Sequence, residues 1–148
     1  MATLLFSYGN LLAMAGWLAL LVALFVTRAR PRIIIVTRFI APVLFGLAYV
    51  ALLIIGADAF KDGGFSSIAQ VRALFANDYA LTAGWLHYLA FDLFVGTWIV
   101  EDGRRRGVNA FLIVPCLILT FLFGPAGYLL YNLVRHNLIS MARAQHTD

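Results

Sequence analysis

From Leu4 to Val26 the chain runs for 23 residues without a charged side chain. A bilayer core about 30 Å thick takes roughly 20 apolar residues of helix to cross. The backbone in hydrocarbon must also satisfy its own N–H and C=O groups, which a helix does within itself. Three further apolar runs follow: Phe39 to Ala57, with Ile33–Val36 available to extend it; Tyr79 to Val100; and Val108 to Val134, long enough to tilt. Inside the last, Gly124-Pro125-Ala126-Gly127 predicts a kink. The expected fold class is all-α: a four-helix transmembrane bundle forming a single integral membrane domain over residues 1–148, with spans of about 4–26, 39–57, 79–100 and 108–134.

The composition excludes the soluble alternatives. With 63% hydrophobic and 12% charged residues, against about 25% charged in an ordinary soluble domain, too little polar surface exists to wet a globule. A cytosolic enzyme, a secreted disulfide scaffold and a disordered tail are all ruled out. Cys116 is the single cysteine and has no internal partner. The net charge of +4 forms no basic stripe interleaved with aromatics, so no nucleic-acid partner is expected.

The first run has no basic flank before it, and Thr27-Arg28-Ala29-Arg30-Pro31 follows where a cleavage site would be, so it reads as a retained helix. Arg28, Arg30, Arg32 and Arg38 in the first loop and Arg104, Arg105 and Arg106 in the third put seven basic residues on one side. Lys61, Arg72, Arg135 and Arg143 fall on the other. The positive-inside rule then predicts both termini outside the cytoplasm, in an integral protein of a bacterial inner membrane.

The second loop, Asp58 to Asp78, carries Phe65, Ile68, Val71, Leu74 and Phe75 at helical spacing, with Ser66 and Ser67 placed to cap. A short amphipathic helix on the outer surface accounts for them; so does a loop packed on the bundle. Ala15, Ala19 and Ala23 make a row of small residues suited to close helix contact, within the chain or in a homodimer.

The third run holds two ionisable residues, His87 and Asp92. A carboxylate near the bilayer centre costs roughly 2.5–3.5 kcal/mol on insertion scales, so it calls for a partner or a function. At about 100° per residue, Asp92 shares a face with Trp85, Tyr88, Val95 and Ile99, while His87 lies about 140° away beside Phe91, Phe94 and Trp98. The two cannot stack on one face. Each must look to another helix, or they flank opposite edges of one cavity. They are interhelical hydrogen-bond glue in one reading, and chemical or ligand-binding groups in the other. The histidines at 87, 136 and 146 form no His-xxx-His or Glu-xxx-His pair, so neither a metal site nor a cofactor is expected. No phosphate loop, serine elbow or Cys-His arrangement occurs. The aromatic load of 12 Phe, 6 Tyr and 3 Trp suits a membrane core and interface, and equally a long, flat, apolar ligand.

The stretch Trp85-Leu86-His87-Tyr88-Leu89-Ala90-Phe91-Asp92-Leu93-Phe94 with the later Glu101-Asp102-Gly103 resembles the signature of the abscisic-acid-deficient-4-like family, the neoxanthin-synthase-like membrane proteins. Pro115-Cys116-Leu117 and Phe123-Gly124-Pro125-Ala126-Gly127 resemble that family's last helix. The resemblance implies carotenoid chemistry: its plant members are required to make neoxanthin from violaxanthin, an isomerisation in which an epoxide opens, a proton leaves and an allene forms. Such a step needs an acid and a base but no redox cofactor. On this resemblance His87 and Asp92 take those catalytic roles, and Trp85 and Tyr88 line the ring pocket, with Phe91 and Trp98 also binding substrate. Asp102 matches the motif's later acid, although a helix-end charge pairing with Arg104–Arg106 explains it better. The implied partners are membrane lipid and an apolar polyene or isoprenoid. The alternative is a non-catalytic membrane module that binds a pigment or lipid, or supports a partner complex.

Overall fold

The computed structural model describes the backbone of residues 1–144 and the side chains of residues 1–136, so His146 and the side chain of Arg143 lie outside the described residues. The described residues form six α-helices and no strand: α1, Ala2–Phe25; α2, Arg30–Ile55; α3, Ile68–Phe75; α4, Asp78–Arg105; α5, Ala110–Phe123; and α6, Pro125–Ala144. Helix α2 is one rod with a π turn at Val36–Ile40. That turn directly precedes Pro42, which has no N–H to return to the carbonyl one turn back.

Helices α1, α2 and α4 are long and apolar enough to cross a membrane, at 24, 26 and 28 residues. The apolar helices fit a membrane protein, with Leu18, Leu47 and Ile54 among many large apolar side chains left exposed on the outer faces. Helix α4 is the central element, with α1 and α2 packed on it. Along α1, Gly9 faces Leu86, Gly16 faces Leu93, and Trp17 fills the space over Gly96, where an added Cβ would meet it at 2.6 Å. The repeat of seven residues keeps one seam in contact, as in a coiled coil. Leu20, Leu52, Leu86, Leu93 and Ile99 are buried at this centre. The contact row on α1 is thus set by Gly9, Ala13, Gly16 and Ala23. Of the three alanines expected to form it, Ala23 is buried and Ala15 is exposed. Glycine permits the closer approach.

The last apolar run, Val108 to Val134, does not form one continuous helix. Helix α5 has 14 residues, about 21 Å at 1.5 Å per residue, short of the bilayer core. It ends at Gly124, whose φ of +36° reverses the chain instead of kinking it. The return is marked by a ladder of contacts on α4. Tyr88 Oη donates to the carbonyl of Leu122 at 3.3 Å, and Gly124 lies on Asp92. Trp98 packs on the rings of Tyr128 and Tyr131. Tyr131 Oη then donates to Asp102 at 2.7 Å, and Arg135 approaches the same oxygen at 3.4 Å. Helix α6 therefore descends beside α4 toward the end where α5 began. The described residues thus hold three helices long and apolar enough to cross a membrane, and a helical hairpin, α5–α6, packed on α4.

Met1 lies at the end of the bundle opposite Arg104, whereas the described part of α6 runs toward the Arg104 end. Arg135 joins the seven basic residues of the first and third loops, leaving Lys61 and Arg72 at the other end. The charge asymmetry is larger than the four-span reading gives.

In the second loop, the helix expected from the apolar spacing is α3. Ser67 caps it, accepting from the Gln70 N–H at 3.2 Å, while the Gln70 side chain accepts from the Ser66 N–H at 3.2 Å. Leu74 is buried with Ala59 and Ala80, and Phe65 and Ile68 remain exposed. One edge of α3 is seated on the bundle and the other is free.

Candidate functional site: a groove between the second and fourth helices

Helices α2 and α4 splay to leave an apolar groove of about 520 Å³, lined by Phe45, Gly46, Tyr49, His87, Phe91 and Phe94, with Arg38 and Pro42 toward one end. The stripe on α4 follows from helix geometry: steps of three and four residues bring His87, Phe91 and Phe94 to one face. The floor on α2 is open because Gly46 has no side chain, and a Cβ there would meet nothing within 4 Å. His87 is exposed to this space. Its ring stands 4.6 Å from that of Phe91 and 5.8 Å from that of Tyr49. At the arginine-rich end the groove stops at an ion pair, Arg38 Nη1 to Glu101 Oε2 at 2.5 Å.

The residues singled out in the sequence separate into three places. His87 and Phe91 line the groove. Trp85, Tyr88 and Asp92 face α1 and the hairpin: Trp85 Nε1 donates to Asn10 Oδ1 at 3.0 Å and its ring lies against Phe6 and Tyr88. Asp92 turns its carboxyl group onto Gly124, and its Oδ2 is buried with no hydrogen-bond partner among the described residues. Trp98 belongs to neither group; it stacks in the aromatic cluster of α6, under the Arg135 guanidinium. Of the two open geometries for His87 and Asp92, each looks to a different helix.

Asp102, buried at the end of α4, accepts from Tyr131 Oη at 2.7 Å and Arg106 Nε at 2.8 Å, with Arg135 near. The helix-end pairing expected for it holds, through Arg106, and α6 adds two partners. In turn the carboxylate raises the pKa of the Arg106 guanidinium, first through the hydrogen bond and then through its charge. No group of three or more His, Cys, Asp or Glu side chains suited to a metal occurs among the described residues.

Sequence reasoning missed Tyr49, Tyr131 and Arg135. Tyr49 was the only polar side chain in the middle of an otherwise apolar run, which is a usable signal. The partners of Asp102 could not be found while α6 was taken as the far half of a crossing.

A family model described as ABA DEFICIENT 4-like matches residues 4–131. No curated protein and no solved structure matches the chain.

Proposed function

The chain belongs to the ABA DEFICIENT 4-like family, and on that premise we propose that it is a membrane protein that holds a carotenoid or related polyisoprenoid in the α2–α4 groove and isomerises or modifies it by acid/base chemistry. The observation that carries this reading is the groove itself: an apolar trough of about 520 Å³ with an imidazole on its wall. From Arg38 to Tyr49 the floor advances about 16 Å at 1.5 Å per residue, which suits the end of a long, flat polyene entering sideways from lipid. Aromatic rings at Tyr49, Phe91 and Phe94 give it flat surfaces to lie on.

Opening an epoxide to an allene moves two protons and no electrons to or from a cofactor. A base takes the proton from carbon as the C–O bond breaks, and an acid delivers one to the oxygen. Within the groove the groups suited to these tasks are His87 as base and the Tyr49 hydroxyl as acid. The imidazolium then returns a proton to the phenolate, leaving the protein unchanged. Asp92, assigned the second role on the family resemblance, faces the hairpin instead, and its contribution is to seat that hairpin on α4. The arginine-rich end is assigned to the cytoplasm of a bacterial inner membrane, with the amino terminus outside.

A second reading, a non-catalytic pigment- or lipid-binding module, draws on the separation of His87 from Asp92 by the body of α4. Expression in a carotenoid-producing host distinguishes the two. The enzyme reading expects a new pigment of unchanged mass, lost in His87→Ala while the protein still accumulates. A coloured but unconverted ligand on the purified protein favours the module. An unaltered pigment profile together with a colourless protein overturns both.

A further inference from the structure

Beyond the Arg38–Glu101 ion pair, at the arginine-rich end of the bundle, a separate cleft of about 360 Å³ opens between the start of α2 and the end of α4, lined by Arg30, Pro31, Ile34, Glu101, Arg104 and Arg105. Three guanidinium groups face one space, and the only acid on its wall is already engaged by Arg38. Arg30 is held in place: its Nε donates to the carbonyl of Ala23 at 2.8 Å, and Nη2 lies 3.5 Å from Thr27 Oγ1. Neither Arg104 nor Arg105 is ion-paired among the described residues. Like charges gathered this closely repel unless an anion joins them. The neighbouring recess near α6 is different, because Arg106 and Arg135 are both ion-paired there, sharing Asp102.

The chemistry of the cleft selects its occupant. Guanidinium forks match the geometry of phosphate oxygens and bind them with charge-assisted hydrogen bonds. Pro31 and Ile34 supply an apolar wall on the same cleft, directly continuous with the lipid-facing side of α2, where Ile35 and Val36 are exposed. A free phosphate has no use for that wall. We propose that this cleft is a binding site for the phosphodiester headgroup of an anionic phospholipid, its acyl chain lying along the Pro31–Ile34 side of α2. The site stands apart from the groove, and the proposal does not rest on what the groove holds.

Orientation alone would also place arginines at this end of the helices, and the test separates the two roles. The full chain is reconstituted in bilayers of equal phosphatidylglycerol and phosphatidylcholine, and the lipid retained on extraction is identified by native mass spectrometry. The expected result is retention of phosphatidylglycerol over phosphatidylcholine on the order of tenfold, the scale of a lost charge-assisted contact. Arg104→Gln with Arg105→Gln abolishes the preference. Arg28→Gln, outside the cleft, keeps it. A wild-type melting temperature higher in phosphatidylglycerol than in phosphatidylcholine bilayers supports the site without any variant. Equal retention of the two lipids, a preference that survives the double variant, or equal protection by inorganic phosphate alone overturns the proposal.

Discussion

The carboxyl group of Asp92 rests on the backbone of Gly124, at the point where the α5–α6 hairpin reverses. A helix that stops inside the bilayer leaves backbone groups with no partner in hydrocarbon, and protein must supply one. Tyr88 and Asp92, one turn apart on α4, face that tip: Tyr88 donates to the carbonyl of Leu122, and Asp92 lies against Gly124 with its Oδ2 buried and without a hydrogen-bond partner among the described residues. Both side chains pack against the hairpin.

Gly124→Ala is expected to be among the most damaging small substitutions in the chain. The φ of +36° is a conformation that a side chain disfavours, and the new methyl would come 2.6 Å from Asp92 Oδ1. Together these cost about 2 kcal/mol or more. Thermal unfolding in detergent should show the loss, and adding Asp92→Ala should recover part of it by removing the clash. A melting temperature equal to wild type would mean the reversal at 124 is drawn wrongly.

The hairpin also fixes where a label can reach. Cys116 is buried and should stay silent toward a membrane-impermeant thiol reagent, so single cysteines introduced at Arg28 and His136 can be compared directly. Both are expected to react from the same side of sealed vesicles, with a cysteine at Met1 reacting from the other. Labelling of position 136 from the side of position 1 would restore a fourth crossing and overturn the reversal at Gly124.

Tyr131→Phe isolates the second anchor of α6. The ring is fully buried and its hydroxyl donates to Asp102 at 2.7 Å. Losing a hydrogen bond to a charged group costs about 1.5–3 kcal/mol. Chemical denaturation should register that loss, and Arg106→Gln, an exposed partner of the same carboxylate, should cost less because solvent screens it. The reverse order would place the strength of the cluster in its ion pairs.

How far the sequence could be read follows from what each signal measures. Hydropathy over about 20 residues found α1, α2 and α4, because each spends its length in one environment. It misread Val108 to Val134, because a hairpin packed against protein is as apolar as a crossing; apolarity reports burial from water and says nothing of depth. Gly124-Pro125 and the mid-depth Asp92 were both visible, yet only their contact tells a reversal from a kink. Likewise the angle of about 140° between His87 and Asp92 correctly separated their faces, and the His87–Phe91–Phe94 stripe was legible on one helix. Tyr49 was not, because its relation to His87 exists only once α2 lies beside α4.

Gly46→Leu asks whether the groove is used. The position is helical, so leucine should favour the fold by up to about 1 kcal/mol over glycine, and its Cβ meets no atom within 4 Å. The rest of the side chain would then project into the space beside Tyr49 and His87. Stability should be unchanged or slightly raised, while pigment bound to the purified protein, read from its visible absorbance, should fall sharply. His87→Ala should do the opposite: it widens the groove and spares binding while removing the base. Should Gly46→Leu retain pigment as wild type does, the ligand lies elsewhere on the bundle, and the role given to His87 goes with it.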